Sequence, residues 1–217
     1  YNPYIQIKYM NLKNIYYQFN SALTERFCDD VIKYGESLEK MIAITGEQGR
    51  DRNIKKNPLS KKEIKNLKKK RDSQVVWLKE EWIYKEIHPY IHMANEKAGW
   101  NYDWNFSEDI QFTRYEKNQY YGWHTDSWNE PYKENNPRTN GKIRKLSVTC
   151  NLSSNDDYSG GQLEFADIKE GKTIKISAPS SKGGITVFPS FIWHRVTPVT
   201  KGTRFSLVVW NLGYPFK

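Results

Sequence analysis

From Ile110 to Trp210 the chain breaks into short runs rich in β-branched and aromatic residues. These are Ile110–Tyr115, Tyr120–His124, Leu146–Leu152, Gln162–Phe165, Thr173–Ser177, Gly184–Phe188, Arg195–Val199 and Arg204–Trp210. Gly, Pro, Asn, Asp and Ser punctuate the gaps between them. No such run is long enough to fold alone, and many short strands at this spacing predict a sandwich or barrel. The stretch Ser127–Lys142 is the exception, a long polar loop with two prolines. Loops of that length in compact domains are commonly functional or disordered.

The texture before Trp100 is different. A first strand is expected within residues 1–20. Thr24 is a good N-cap, and Phe27, Val31, Ile32 and Tyr34 follow at helical spacing, so a helix is predicted over Glu25–Lys40. A second is predicted over Leu78–Lys97, with Trp82, Ile83, Ile87, Ile91 and Ala94 facing inward. Pro89 would kink or break it, and Gly99 stands where a C-cap glycine belongs. The 217 residues suit one domain. It is expected to span 1–217, with helical support over about 20–100 and a β core over about 106–212.

Aromatic residues make up 15% of the chain, which excludes wholesale disorder. There is no apolar run of membrane-spanning length and no signal-peptide core, so a soluble protein with no membrane partner is expected. Cys28 and Cys150 are the only cysteines, too few for a disulfide framework, which fits a reducing cytoplasm. The formal net charge is +9. Eleven basic and two acidic residues between Arg50 and Arg71 account for all of it. The excess is therefore local. It weakens a nucleic-acid reading of the whole domain, and leaves this basic loop, with a short charged helix over Lys61–Lys70, either to recruit an acidic partner or to be solvated.

Four histidines are present: His88, His92, His124 and His194. His124-Thr125-Asp126 closes a predicted strand, where positions i and i+2 point to the same side. His194 lies 68 residues later, where another strand begins. Two imidazoles and one carboxylate on one face form the triad of non-haem Fe(II) oxygenases, although the same donors suit Zn²⁺ or Mn²⁺. Arg204-Phe205-Ser206 follows, with Arg204 and Ser206 on one strand face. A guanidinium fork beside a metal can grip a distal carboxylate. A ligand that chelates metal at one end and offers a carboxylate at the other is 2-oxoglutarate. His88 and His92 lie four apart on a helix, but Pro89 stands where a zinc protease needs its Glu, so a helix-surface pair is expected. Trp123, Trp128 and Trp193 flank the metal residues, as core or as a groove wall. Gly160-Gly161 and Gly183-Gly184 read as turns, and Cys150 as a buried core thiol.

Taken together, these residues resemble the iron- and 2-oxoglutarate-dependent dioxygenases, and more narrowly the prolyl 4-hydroxylase-like, PKHD-type group of bacteria and their viruses. The likeness rests on three blocks: Tyr115–His124, Ser159–Phe165 and Phe188–Arg204. It covers residues 110–212, about half the chain. Asn118 departs from the pattern, standing where many members place Gly. The resemblance implies a mainly β fold with flanking helices, a double-stranded β-helix of jelly-roll, cupin-like form. It implies Fe(II) on His124, Asp126 and His194, 2-oxoglutarate held by Arg204, Ser206, Tyr115 and Asn151, and ascorbate as reductant. The implied activity is hydroxylation of a peptide or protein substrate, peptidyl proline first. The alternatives are an oxidative demethylase of nucleic acid and a non-catalytic metal-binding barrel. The demethylase commonly carries a second arginine six residues after the first, where this chain has Trp210. Of the two polar loops, Ser127–Lys142 is expected to close over substrate, with Trp128 and Tyr132 touching it.

Overall fold

The computed structural model describes residues 14–43, 59–127, 130–169, 172–177 and 181–216. Along the chain they form β1 (Tyr17–Phe19), α1 (Glu25–Ser37), β2 (Met41–Ile42), α2 (Lys61–Lys68), β3 (Arg71–Asp72), β4 (Gln74–Leu78) and α3 (Glu81–Lys97). There follow β5 (Phe106–Ser107), β6 (Ile110–Tyr115), β7 (Tyr120–His124), β8 (Ile143–Asn151), β9 (Tyr158–Gly160), β10 (Leu163–Lys169) and β11 (Lys172–Ser177). The chain ends with β12 (Ile185–Pro189), β13 (His194–Val196), β14 (Val199–Gly202) and β15 (Arg204–Gly213).

The helices follow from their termini and faces. Thr24 caps α1 by accepting from the Phe27 amide at 3.2 Å. Ser60 and Glu63 form a reciprocal capping box at the start of α2. α3 buries Ile83, Ile87, Ile91 and Ala94. Each isoleucine contributes about 1.5–3 kcal/mol by leaving water. Trp82 departs from the expected inward face: it is 41% exposed, against Phe27 at 5.3 Å. It lies about 100° around the helix from Ile83, off the apolar stripe. α3 also runs through Pro89. Pro89 and Lys85 are both exposed, so water can take the carbonyl that Pro89 leaves without a donor. Gly99 ends the helix with φ +74°.

The strands pair antiparallel into two main sheets. The larger runs β1-β12-β8-β15-β6-β4-β2, with β5 on β15. The smaller runs β11-β10-β13-β7-β3, and β14-β9 make a separate ribbon. α1 and α3 pack with the larger sheet around one apolar core that includes Leu146, Val148, Cys150, Ile185, Val187, Leu207 and Val209. This is the expected double-stranded β-helix with helices outside it.

Strand bounds follow the sequence closely, with informative exceptions. The expected strand Arg195–Val199 is two strands, because Pro198 interrupts the ladder and β14 leaves the smaller sheet to pair with β9. β3 and β4 lie where the basic loop and the start of the second helix were expected. Val75, Val76 and Leu78 pair with β6 and are buried. Asn118 adopts φ +69°, a left-handed turn that asparagine tolerates and that explains why glycine is the usual choice there.

Candidate functional site

The metal triad is assembled by strand pairing. His124 ends β7 and His194 opens β13, and the two are direct partners in the ladder. Asp126 stands two residues past His124, in the bend leaving β7. Its amide donates to the Ser190 carbonyl at 2.8 Å, as does the Ser127 amide at 2.9 Å, which fixes the bend against the end of β12. Ligand atoms of the three residues lie within 4.8 Å of one another.

The protonation states suit a cation. The Nδ1 of His124 lies 2.8 Å from the Gly122 carbonyl, and the Nδ1 of His194 lies 2.9 Å from the Ile192 carbonyl. Each Nδ1 therefore donates to its carbonyl, and each Nε2 faces Asp126, at 3.6 and 3.5 Å. Burial, followed by the neighbouring His194, drives the His124 pKa down to about 3, so its imidazole is neutral. Burial pushes the Asp126 carboxyl up, but His194 and His124, then Arg144 and Ser147, outweigh it and hold it below the usual range. Two imidazole nitrogens and a carboxylate thus converge in a buried place. Acceptors gathered in this way are costly unless a cation joins them. The residues fit a divalent first-row ion. The Ser147 hydroxyl donates to Asp126 Oδ2 at 2.7 Å and lies 2.9 Å from Ser190 Oγ, orienting the carboxylate from behind.

One cavity between the sheets holds the triad together with Arg204, Tyr115 and Ser206. Arg204 opens β15 and pairs with Tyr115 across the ladder. It is 3% exposed, and its Nη1 donates to Ser206 Oγ at 3.3 Å. Nε has no partner, and no carboxylate pairs with this guanidinium among the described residues. The Tyr115 ring lies 5.7 Å from the guanidinium carbon. Gly161, at φ +60°, makes room: a Cβ there would sit 2.9 Å from Arg204 Cδ. A buried, unpaired guanidinium beside a metal triad is a receptor for an anionic group.

Asn151 pairs with Ser206 across the ladder. Its Nδ2 donates to the carbonyls of Ser153 and Ser181, and its Oδ1 accepts from the Tyr158 hydroxyl. It braces the end of β8. Tyr132 is placed differently from the expectation. It is 5% exposed, donates through its hydroxyl to Glu108 at 2.6 Å, and packs with Trp210 and Leu212. Its backbone exchanges hydrogen bonds with Gly141 and Lys142. Tyr132 thus anchors the loop from below instead of reaching over the cavity. Trp128 lies outside the described residues. Trp123 sits under Arg195, and Trp193 is 53% exposed; neither lines the cavity. His88 bonds Ser107 and His92 stacks on Trp104, so the helix pair is structural.

Tyr121, Arg71 and Trp210 also line the cavity and were not anticipated. Tyr121 stacks on His124, centroids 3.5 Å apart. Arg71 from β3 lies over Tyr121 at 4.6 Å and bonds Ser73 at 2.9 Å and Gln111 at 2.5 Å. Trp210 lines the cavity with Arg144 stacked on it at 3.9 Å, and its buried indole Nε1 has no acceptor among the described residues. Burial opposes the charge of Arg144, but Glu108 outweighs it and holds the guanidinium protonated. Alternation along β15 carries the signal for Trp210, since 204, 206, 208 and 210 share a face. Arg71 and Ser73 share a face by the same rule, beside an apolar run that reads as a strand.

Residues 110–211 match the family model of the 2OG-Fe(II) oxygenase superfamily. A PKHD-type hydroxylase of Bordetella pertussis is 36% identical over 100 residues, which span 46% of this chain and 41% of that protein. One from Idiomarina loihiensis is 32% identical over 101 residues, 46% of this chain and 40% of the relative. The matched part is thus about two fifths of the curated relatives' length. Among solved structures, a Pseudomonas putida prolyl-4-hydroxylase superposes with a TM-score of 0.59 at 15% identity, covering 92% of each chain. The viral collagen prolyl hydroxylase of Paramecium Bursaria Chlorella virus-1, in its 2OG complex, gives 0.58 at 18% identity, covering 93% of this chain and 97% of that one. These structures establish the likeness of fold.

Proposed function

From the premise that residues 110–211 belong to the 2OG-Fe(II) oxygenase superfamily, we propose that the protein is an iron- and 2-oxoglutarate-dependent oxygenase that hydroxylates peptidyl proline. The observation that carries this is the pairing, in one cavity, of three converging metal donors with a buried guanidinium that has no acid partner among the described residues. When bound, iron and 2-oxoglutarate supply the oxidising chemistry: O₂ is consumed, one oxygen atom ends on the substrate carbon, and the co-substrate leaves as succinate and CO₂. His124, Asp126 and His194 hold the metal. Arg204, with Ser206 and Tyr115, takes the distal carboxylate. Asn151, beside Ser206 in the ladder, is the remaining candidate for that set, and the expected ascorbate finds no support in the residues or the comparisons.

The remaining cavity residues act on the substrate. Tyr121 and Trp210 offer aromatic walls beside the metal donors, suited to an apolar ring such as pyrrolidine. The unpaired Trp210 indole N–H can donate to a peptide carbonyl, and Arg71 adds a second cationic donor set. The aromatic and apolar lining from Phe188, Leu163 and Val196 excludes water, which protects the reaction from wasteful turnover. The PKHD-type and prolyl-hydroxylase relatives add weight to a peptide substrate.

The test is coupled turnover with Fe(II) and 2-oxoglutarate on a proline-containing peptide and on methylated single-stranded DNA. The expected result is succinate formed in step with a one-oxygen mass gain on the peptide proline. Demethylation of DNA would support the demethylase instead. Metal binding with no succinate from either substrate would leave a non-catalytic barrel.

A further inference from the structure

We infer that α2 and the turn after it form a docking surface for acidic polypeptide, which would make the substrate a protein segment with Asp or Glu residues flanking the hydroxylated position. This deepens the function proposed above and rests on it. Lys61, Lys62, Lys65, Lys69 and Lys70 are exposed, and none forms an ion pair among the described residues. Lys68 is paired with Asp72 at 3.2 Å. The acid within α2, Glu63, turns back to the Ser60 amide at 2.8 Å in the capping box. The helix therefore presents a cationic face.

A basic run on a loose segment would be an ordinary solvated surface. This one is fastened to the catalytic strand. Leu67 is buried beneath the helix. The Tyr120 hydroxyl lies within hydrogen-bond reach of the Lys68 and Lys69 carbonyls, at 3.1 and 3.0 Å. The Gly122 amide donates to the Lys70 carbonyl at 2.8 Å. The next residue, Arg71, pairs in register with Tyr121 and enters the cavity. Lys69 thus lies no more than about 8 Å, Cα to Cα, from a cavity residue. That is within about one Debye length at physiological salt. With α2 about 12 Å long, an extended peptide held at the metal would bring acids roughly two to six residues from its target onto these lysines.

Peptide is favoured over nucleic acid by what α2 lacks. Single-stranded nucleic acid is held by cationic grooves interleaved with aromatic platforms. The exposed positions of α2 are lysine and asparagine, with no aromatic among them.

The experiment is fluorescence anisotropy with the full chain loaded with Mn(II) and 2-oxoglutarate. The probes are a labelled proline-centred peptide flanked by glutamates, the same peptide with glutamines, and a single-stranded oligonucleotide of equal charge. The glutamate peptide should bind roughly tenfold more tightly than the glutamine peptide at low salt, and the advantage should fade at high salt. It should vanish in the combined variant Lys61→Gln, Lys62→Gln, Lys65→Gln, Lys69→Gln. Equal binding of the two peptides by the native chain overturns the inference whether or not the variant folds. So does an advantage that survives in a folded variant, and tighter binding of the oligonucleotide reassigns the surface. Charge-dependent peptide binding without succinate would sink the activity and leave the surface standing. Turnover with equal KM for both peptides would do the reverse.

Discussion

Arg204 shows how a single residue states its task. A guanidinium at 3% exposure with no acid beside it is costly in an empty barrel and apt in one built to take an anion. Arg204→Lys keeps the charge and loses the planar fork. The apparent 2-oxoglutarate affinity should fall about tenfold, since a charge-assisted bond contributes about 1.5–3 kcal/mol. An unchanged KM for 2-oxoglutarate would move the anchor elsewhere. Ser147 makes the complementary case, because its hydroxyl touches Asp126 and no cavity ligand site. Ser147→Ala should weaken metal binding by about 10–100-fold, the usual effect of removing a partner behind a ligand. A metal titration at saturating 2-oxoglutarate reads this directly, and native affinity would show that Asp126 needs no support from β8. His124 with Asp126 and Arg204 with Ser206 were legible as i, i+2 pairs at strand ends, and His194 as the residue that opens another strand. For Asn151 strand alternation gives the face but not the neighbours, and only the folded turn at 151–153 and 181 shows that its amide also braces the backbone.

At the scale of elements, the sequence speaks most clearly where burial is periodic. β6 and β7 fall on their expected bounds, and α3 buries the isoleucine stripe. It speaks least clearly for elements whose stability comes from neighbours. β3 and β5 are two residues each and exist because β7 and β15 offer open edges. This is why Arg71 was missed: its local run is lysine-rich, and only pairing turns it inward. The loop after Asp126 also depends on its neighbours. Polar composition suggested mobility, but Tyr132 is pinned by Glu108 and by its own ladder with Gly141 and Lys142. Arg138 is exposed within that loop, so trypsin can reach it. Cleavage there should proceed at the same rate with and without metal, 2-oxoglutarate and peptide, and Tyr132→Ala should speed it severalfold by freeing the anchor. Ligand-dependent protection at Arg138 in the native chain would restore the lid.

Across the whole molecule, the metal donors sit at the seam of the two sheets. His124 and His194 come from adjacent strands of the smaller sheet, while Asp126 is held to the larger one through Ser147. The ladder fixes the imidazoles before any ion arrives, and the hydrogen bonds to Ser190 and Ser147 fix the carboxylate. A cation therefore meets a site already in place and bridges both sheets when it binds. Because the unfolded chain has no such site, binding must stabilise the fold. At a metal concentration about 100 times Kd the gain is about 2.7 kcal/mol. For a chain of this size that corresponds to a rise in Tm of about 5–10 °C. Mn(II) is the ion to use, since it takes the same donors without oxidising in air. Thermal unfolding should show the rise in the native chain and lose it in Asp126→Ala. A native chain that gains nothing from the ion would refute the metal centre itself, and with it every role assigned around it.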